Sequence, residues 1–233
     1  MNKPECIRLV RRVLRQRHSD LLGCVLFGSW KRDTANAGSD IDVVVLVESM
    51  PRPFQERVCV GGWLFDLFVF DAASLHTTIR AQLSKRHAHM ALALLSGEIL
   101  MDRQRILERE TRHAAEGLGA LPAFSEWRTL RLALTSLIRD VEFGTPGPTH
   151  TASCTGLYQA SARCWHLLSC GWQGTIKHTV SKMCEDDAAY AERFDAALRS
   201  ALDGRVAPLL DVARDLLQRI GGAFESDERL YVN

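Results

Sequence analysis

One run of residues constrains the fold more than any other in this chain. Positions 41–47, Ile-Asp-Val-Val-Val-Leu-Val, are apolar with a single exception. A strand with one wet face alternates apolar and polar residues, whereas a nearly continuous apolar run is expected for a strand that is buried on both faces. We therefore expect residues 41–47 to form a strand in the interior of a covered sheet.

The segments around this strand predict a small α/β arrangement over residues 1–103. Residues 4–18 have the apolar spacing of an amphipathic helix, and residues 21–27 form a short apolar strand. The runs 57–60 and 63–70 flank Gly61-Gly62, which is a strong hairpin signal. Asp71 is a suitable N-cap for a following helix, and a further helix is expected over about 88–95.

Strand signals end near residue 103. The segments 104–117, 125–143, 155–171, 175–184, 187–202 and 205–220 are rich in Ala, Leu, Arg and Glu, and most have helical spacing of apolar residues. Residues 144–148, Gly-Thr-Pro-Gly-Pro, separate two of these helices. The predicted fold class is α+β, with a small mixed-sheet domain over 1–103 followed by an all-α helical bundle over 104–233.

Two aspartates stand at the start of the apolar strand. Because side chains alternate across a strand, Asp40 and Asp42 point to the same face. Neighbouring carboxylates repel each other unless a cation lies between them, and Mg²⁺ or Mn²⁺ prefers oxygen ligands that it shares with substrate phosphates. The pair predicts metal-assisted chemistry on a phosphate, although an Asp-x-Asp pair by itself is commonly a solvated strand start.

A third carboxylate lies in the second strand of the hairpin. Asp66 is surrounded by apolar residues in the segment 63–70, Trp-Leu-Phe-Asp-Leu-Phe-Val-Phe. A carboxylate buried in such a strand is costly without a partner, and a metal ion shared with Asp40 and Asp42 would provide one. The alternative is that Asp66 faces solvent on an edge strand.

The joint pattern resembles the nucleotidyltransferase superfamily that includes DNA polymerase beta and kanamycin nucleotidyltransferase. The family pattern is Gly-Ser, a spacer, and two acidic residues around an apolar one, matched here by Gly28, Ser29, Asp40 and Asp42. The resemblance implies that Asp40, Asp42 and Asp66 are catalytic and hold two divalent ions. It further implies transfer of a nucleoside monophosphate from ATP or another nucleoside triphosphate, with release of pyrophosphate.

The same resemblance suggests residues that bind the nucleotide. Glycine lets the backbone approach phosphate closely, and a serine hydroxyl can donate to phosphate oxygens. A helical bundle like that of kanamycin nucleotidyltransferase is also implied, in which residues 171–178, Gly-Trp-Gln-Gly-Thr-Ile-Lys-His, loosely match a Gly-Lys-Trp-like segment. The predicted nucleotide-binding residues are Gly28, Ser29, Lys31, Arg32, Ser39 and Lys177.

Composition excludes several classes of protein. The formal net charge of +1 gives no strong electrostatic case for nucleic-acid binding, and no apolar run is long enough to span a bilayer. The chain has seven cysteines without a Cys-x-x-Cys pair, which favours reduced thiols in a cytoplasmic protein. The spacing of the eight histidines predicts no metal-ligand cluster.

The acceptor of the nucleotide is left open by the sequence. The leading hypothesis is a small hydroxylated molecule, with an aminoglycoside, and hence antibiotic resistance, as one candidate. The first alternative is a protein acceptor, as for AMP-transferring enzymes of toxin–antitoxin pairs. The second alternative is a nucleotide-binding module that has lost catalysis, against which the three carboxylates argue. The oligomeric state is also left open, with a homodimer formed through the helices as one candidate.

Overall fold

The computed structural model describes residues 1–120 and 127–224 of the 233-residue chain. The chain divides into two compact units, residues 1–121 and 122–233. The first unit contains the whole sheet, and the second is helical. The α+β class predicted from the sequence is therefore confirmed.

Five strands form one mixed sheet in the first unit. They are β1 (Leu21–Phe27), β2 (Ile41–Val47), β3 (Phe54–Val60), β4 (Trp63–Phe70) and β5 (Glu98–Asp102), in the spatial order β3-β4-β2-β1-β5. Of the four strand pairings between described residues, β2 with β4 is parallel and the others are antiparallel. Strand β2 is central, and its residues 43–47 are buried, as its apolar sequence predicts.

Helices of the first unit cover the sheet. They are α1 (Lys3–Arg17), α2 (Gly28–Lys31), α3 (Ala72–Ser84), α4 (His89–Ser96) and α5 (Ile106–Gly119). The apolar side of α1 packs on one face of the sheet, where Leu14, Ile41 and Phe65 are fully buried. Of the helices that follow β4, α3 contacts β4, while α4 and α5 contact β1. Residues 43–47 of β2 are accordingly buried, whereas Asp42 stays half-buried.

The β3–β4 hairpin turns at Gly61 and Gly62, as predicted. Both glycines have positive φ angles, 59° and 81°, which a two-residue hairpin turn of type I′ requires at both central positions. The turn pairs Val60 with Trp63, and the antiparallel register continues from there along both strands. The length of the loop thus determines which residues of β3 lie opposite those of β4.

The N-cap at Asp71 is also confirmed. Its carboxylate accepts a hydrogen bond from the Ser74 backbone N–H at 2.8 Å, at the start of α3. At the start of α5, Asp102 of β5 binds the helix from outside it, because its two oxygens accept from the backbone N–H groups of Ile106 and Glu108 at 2.9 Å each. Helix α5 packs against α3 and α4 within the first unit. The domain boundary predicted between residues 103 and 104 precedes this helix and stays a prediction.

The second unit consists of helices around one apolar core. They are α6 (Trp127–Phe143), α7 (Pro148–Cys170), α8 (Ile176–Asp186), α9 (Ala188–Leu202) and α10 (Ala207–Arg219). Leu134, Met183, Phe194 and Leu209 are fully buried in this core. None of the helices in the described ranges has both the length and the apolar character that crossing a membrane needs.

Candidate active site

Two of the three predicted aspartates are neighbours in the sheet. Asp42 on β2 is the register partner of Asp66 on β4. Partners in a parallel ladder lie on the same face, so both carboxylates point to the side of the sheet opposite α1. Asp42 is half-buried, and Asp66 is only 6% exposed. The packing of two strands therefore places two carboxylates side by side in a poorly solvated position.

Gly28 lies directly against this pair. It begins α2 with a φ of +72°, a left-handed conformation that favours glycine. A Cβ atom at residue 28 would lie 3.0 Å from Cγ of Asp42 and closer still to Oδ2 of the same residue. The glycine thus lets the backbone between β1 and α2 approach the carboxylate, and half-buried Ser29 follows immediately.

Asp40 lies one residue before β2, and a pair of tryptophans holds the loop that leads to it. Trp30 donates from Nε1 to the backbone carbonyl of Ser39 at 3.4 Å, and its ring packs edge-on against Trp63 at a centroid distance of 5.3 Å. The Ser39 hydroxyl accepts from the backbone N–H of Asn36 at 2.9 Å, which closes the loop on itself. Contact of Ser39 with a nucleotide stays a prediction.

Two polar side chains from the edge strand hold Asp66. Gln55 donates from Nε2 to Oδ1 of Asp66 at 2.5 Å, and the Arg57 guanidinium lies 3.4 Å from Oδ2. These residues were missed in the sequence analysis. The signal was present, because a two-residue turn at Gly61-Gly62 pairs position 57 with position 66.

An aromatic patch continues the carboxylate face. Phe68 lies two residues beyond Asp66, and its ring is 5.8 Å from that of Phe27 and 5.4 Å from that of His89. Desolvation by the surrounding protein lowers the pKa of His89 below its usual value, and the negative charge of Asp66 opposes this shift. His89, at the start of α4, was likewise missed in the sequence analysis, because it lies 23 positions after Asp66 and only the fold brings the two together.

A cleft of about 710 Å³ lies beyond this patch. His89 lines it, together with Met50, Asp71, Ser74 and Gln82. Asp40, Asp42 and Asp66 do not line it. The carboxylates therefore lie outside the cleft. His89 borders both the cleft and the aromatic patch beside the carboxylates.

The remaining predicted nucleotide-binding residues are basic. Lys31 ends α2 and is half-buried, and its backbone carbonyl accepts from Lys3 Nζ at 3.2 Å. Arg32 caps the same helix and is exposed. Lys177 is exposed in the first turn of α8, in the second unit. The roles of these three side chains stay predictions.

One expectation about the histidines is wrong. The sequence spacing predicted no metal-ligand cluster, yet His76, Glu110 and His113 each place a ligand atom within 4.8 Å of the other two. The reason is tertiary, since His76 lies on α3 and the other two residues on α5. No spacing rule within one helix could have joined residues that are 34 positions apart.

The glycine turn and the two register-paired aspartates lie within one segment, residues 7–89. In the comparison with protein families, residues 7–89 match the family model described as "Nucleotidyltransferase domain". This part of the chain is similar to nucleotidyltransferase domains, and the similarity supports a nucleotidyl-transfer activity. The match includes Gly28, the three aspartates and His89.

Among solved structures, the chain is similar to a nucleotidyltransferase-like protein from Exiguobacterium sibiricum. The two share 15% sequence identity with a TM-score of 0.43, over 91% of this chain and 74% of that one. This degree of similarity supports no conclusion about fold or activity. No curated protein matches the chain.

Proposed function

We propose that this protein is a divalent-metal-dependent nucleotidyltransferase that moves a nucleoside monophosphate onto a hydroxyl group and releases pyrophosphate. ATP is the proposed donor, and AMP the group transferred. The observation that carries the proposal is the register pairing of Asp42 with Asp66 directly beside Gly28. In this reading the pair and Asp40 form the catalytic centre, and Gly28 with Ser29 receives the triphosphate.

The residues present fit a hard divalent cation. The donors are carboxylate oxygens, which Mg²⁺ and Mn²⁺ prefer over nitrogen or sulfur. The Arg57 guanidinium provides a single positive charge near Asp66, and 64% of its side chain is exposed, so it can move aside. Asp40, Asp42 and Asp66 would hold the ion. When bound, such an ion stabilises charge on phosphate oxygens and lowers the pKa of a coordinated hydroxyl.

The side chains around the pair have distinct proposed tasks. Gln55 donates to one oxygen of Asp66 and so orients the carboxylate, leaving its other oxygen toward Arg57. Gly28 keeps the space next to Asp42 free of a side chain, which gives phosphate room beside the carboxylate. Lys31 and Arg32 are proposed to add positive charge near the triphosphate from the end of α2.

The proposed acceptor is a small hydroxylated molecule, with aminoglycosides the first class to test because an antibiotic-resistance role follows from that choice. A small molecule is proposed in preference to a protein acceptor, since protein AMP-transferases of toxin–antitoxin pairs are usually shorter chains. We also propose a cytoplasmic location, because all seven cysteines are free thiols, as a reducing compartment would keep them.

Calorimetry with a non-hydrolysable ATP analogue, with and without Mg²⁺, tests the proposal. The wild type should bind only with the metal, and Asp42→Asn should weaken this binding at least tenfold. Asp33→Asn is the matched control. Asp33 is exposed in the loop between α2 and β2, and Asn tolerates its φ of 57°. Equal binding by wild type and Asp42→Asn would overturn the metal-site assignment.

A further inference from the structure

The strongest unassigned feature is the cluster formed by His76, Glu110 and His113. Helices α3 and α5 pack together, and their contact brings Oε2 of Glu110 to 2.8 Å from Nδ1 of His76 and 3.6 Å from Nδ1 of His113. The two imidazole rings are 5.4 Å apart at an interplanar angle of 76°. Both histidines therefore approach the same carboxylate oxygen from different helices.

Burial makes this cluster more than a chance surface group. Glu110 is 2% exposed, whereas each histidine side chain is 40% exposed. A carboxylate this deeply buried needs compensation for lost hydration. Arg109 lies 3.4 Å from Oε1, which leaves Oε2 to the imidazoles.

The second imidazole is incompletely satisfied. Nδ1 of His113 is buried and has no hydrogen-bond partner among the described residues. A buried ring nitrogen without a partner is unusual in proteins, and it points here toward a buried carboxylate oxygen. A cation held between these atoms would satisfy both.

The spacing of the donor atoms fits a tetrahedral transition metal. With metal–ligand bonds near 2.0–2.1 Å, two donors of a tetrahedral site are separated by about 3.3 Å. The observed separations of 2.8 Å and 3.6 Å from Oε2 lie on either side of this value. Two imidazoles with one carboxylate are typical ligands of zinc and related ions, whereas Mg²⁺ prefers oxygen alone.

We propose that His76, Glu110 and His113 form a site for a zinc-class divalent transition-metal ion that joins α3 to α5. The fourth position would be open to the adjoining cleft of about 390 Å³, which is lined by both histidines and Glu116. Metal binding requires neutral imidazoles and an ionised carboxylate as ligands. The site shares no residue with the proposed catalytic centre, and its test is independent of it.

The positive charges nearby set an upper limit on affinity. Arg109 contacts Glu110 directly, and Arg80 lines the same cleft. Both repel a dication, so we expect weaker binding than at a structural zinc site built from cysteines. Metal bound to the folded state alone should nevertheless raise the melting temperature as the free metal concentration increases.

Titration of the chelator-treated full chain with Zn²⁺ by calorimetry, and with Co²⁺ by visible absorption, tests the site. Cys59 and Cys184 are exposed thiols, so all variants carry Cys59→Ser and Cys184→Ser. We expect one equivalent to bind with the absorption of a tetrahedral Co²⁺ complex. His113→Gln should weaken binding at least tenfold and remove the rise in melting temperature, whereas His87→Gln, at an exposed histidine outside the cluster, should leave both unchanged.

His76→Gln, at a partly exposed position, gives a second measurement in case His113→Gln fails to fold, and it should also weaken binding at least tenfold. No binding by the parent protein, or equal binding by the parent, His113→Gln and His76→Gln, would overturn the proposal. Magnesium-dependent nucleotide binding serves as the check of a folded domain in each variant, and its loss in all proteins including the parent would count against the proposed function instead.

Discussion

Gly28 and Asp42 are in such close contact that no side chain fits between them. Cγ of Asp42 lies 3.0 Å from the position that a Cβ of residue 28 would take, and the glycine has a φ of +72°. The left-handed backbone of residue 28 and its contact with Asp42 each disfavour a larger residue at this position. This relationship joins the turn after β1 to the first carboxylate of β2, and it leads to the first prediction.

Gly28→Ala should abolish metal-dependent nucleotide binding and also destabilise the first unit. The left-handed backbone alone costs an alanine about 1–2 kcal/mol, and the displaced Asp42 carboxylate adds the loss of the site. Calorimetric titration and thermal unfolding measure the two effects.

Gly61→Ala is the matched control for this change. Its φ is +59°, yet a Cβ there would meet no described atom within 4 Å. It should reproduce the loss of stability and keep nucleotide binding. If both variants bind nucleotide equally, the approach of Gly28 to Asp42 has no functional importance.

Asp66→Asn should lower the rate of nucleotidyl transfer by about 100-fold or more while leaving the fold intact. Metal-mediated charge stabilisation is worth several kcal/mol, and each 1.4 kcal/mol is a factor of ten in rate. Asparagine keeps the shape and can still pair with Gln55 after a rotation of its amide. Pyrophosphate release with a panel of hydroxylated acceptors is the measurement, with Asp33→Asn as the control that should keep the wild-type rate.

The β3–β4 hairpin shows how far sequence reasoning could reach. The strands, the two-glycine turn and the N-cap at Asp71 follow from local chemistry, because turn and capping residues act over two to four positions. The pairing of Arg57 with Asp66 follows arithmetically from the same turn. Gly28 and the aspartates were identified from their motif, and the structure brings Gly28, Asp42 and Asp66 together.

Other features depend on contacts that no local pattern encodes. The parallel pairing of β2 with β4 requires β3 to lie at the edge of the sheet, next to β4. The contact of His76 with Glu110 depends on the packing of α3 against α5. His89 follows the same logic, because its position beside Phe68 depends on how α4 returns to the sheet. These contacts join residues that are far apart in sequence, and they are determined by the packing of the whole first unit.

Phe194→Ala should strongly destabilise the helical second unit. The ring is fully buried and stacks on that of Tyr158 at a centroid distance of 4.3 Å. Removing a buried phenylalanine ring costs about 3–5 kcal/mol of unfolding free energy. Urea unfolding followed by circular dichroism measures it.

Phe143→Ala provides the comparison, since Phe143 is 75% exposed at the end of α6. Its unfolding free energy should stay within about 0.5 kcal/mol of that of the wild type. Similar losses for the two variants would show that the assigned core of the second unit is wrong.

The second unit should also lose stability in mild acid because of His166. Burial, with smaller contributions from the positive charges of His178 and Lys182, lowers the pKa of His166 from 6.5 to about 4. Below pH 6.5 the unfolded chain binds a proton at His166, whereas the folded protein binds this proton only near pH 4. The unfolding free energy should therefore be fully retained above pH 6.5 and fall with decreasing pH, by at most about 1.4 kcal/mol per unit from this group.

His166→Asn should flatten this part of the pH dependence. The asparagine Oδ1 can replace Nδ1 as acceptor for the Gly174 backbone N–H, which lies at 2.9 Å in the wild type, and asparagine does not titrate. Urea unfolding at pH 7.5, 6 and 5 compares the two proteins. Parallel curves would mean that His166 is not the titrating group.

The strand order also determines where this chain can tolerate a change of length. The segment 48–53 joins the parallel neighbours β2 and β4 by way of β3, and residues can be added there without altering any pairing in the sheet. A single deletion between Arg57 and the Gly61-Gly62 turn would instead turn Gln55 and Arg57 to the opposite face and leave Asp66 without either donor. Homologous chains should accordingly vary in length before Phe54 and keep a constant number of residues from Phe54 to Asp66.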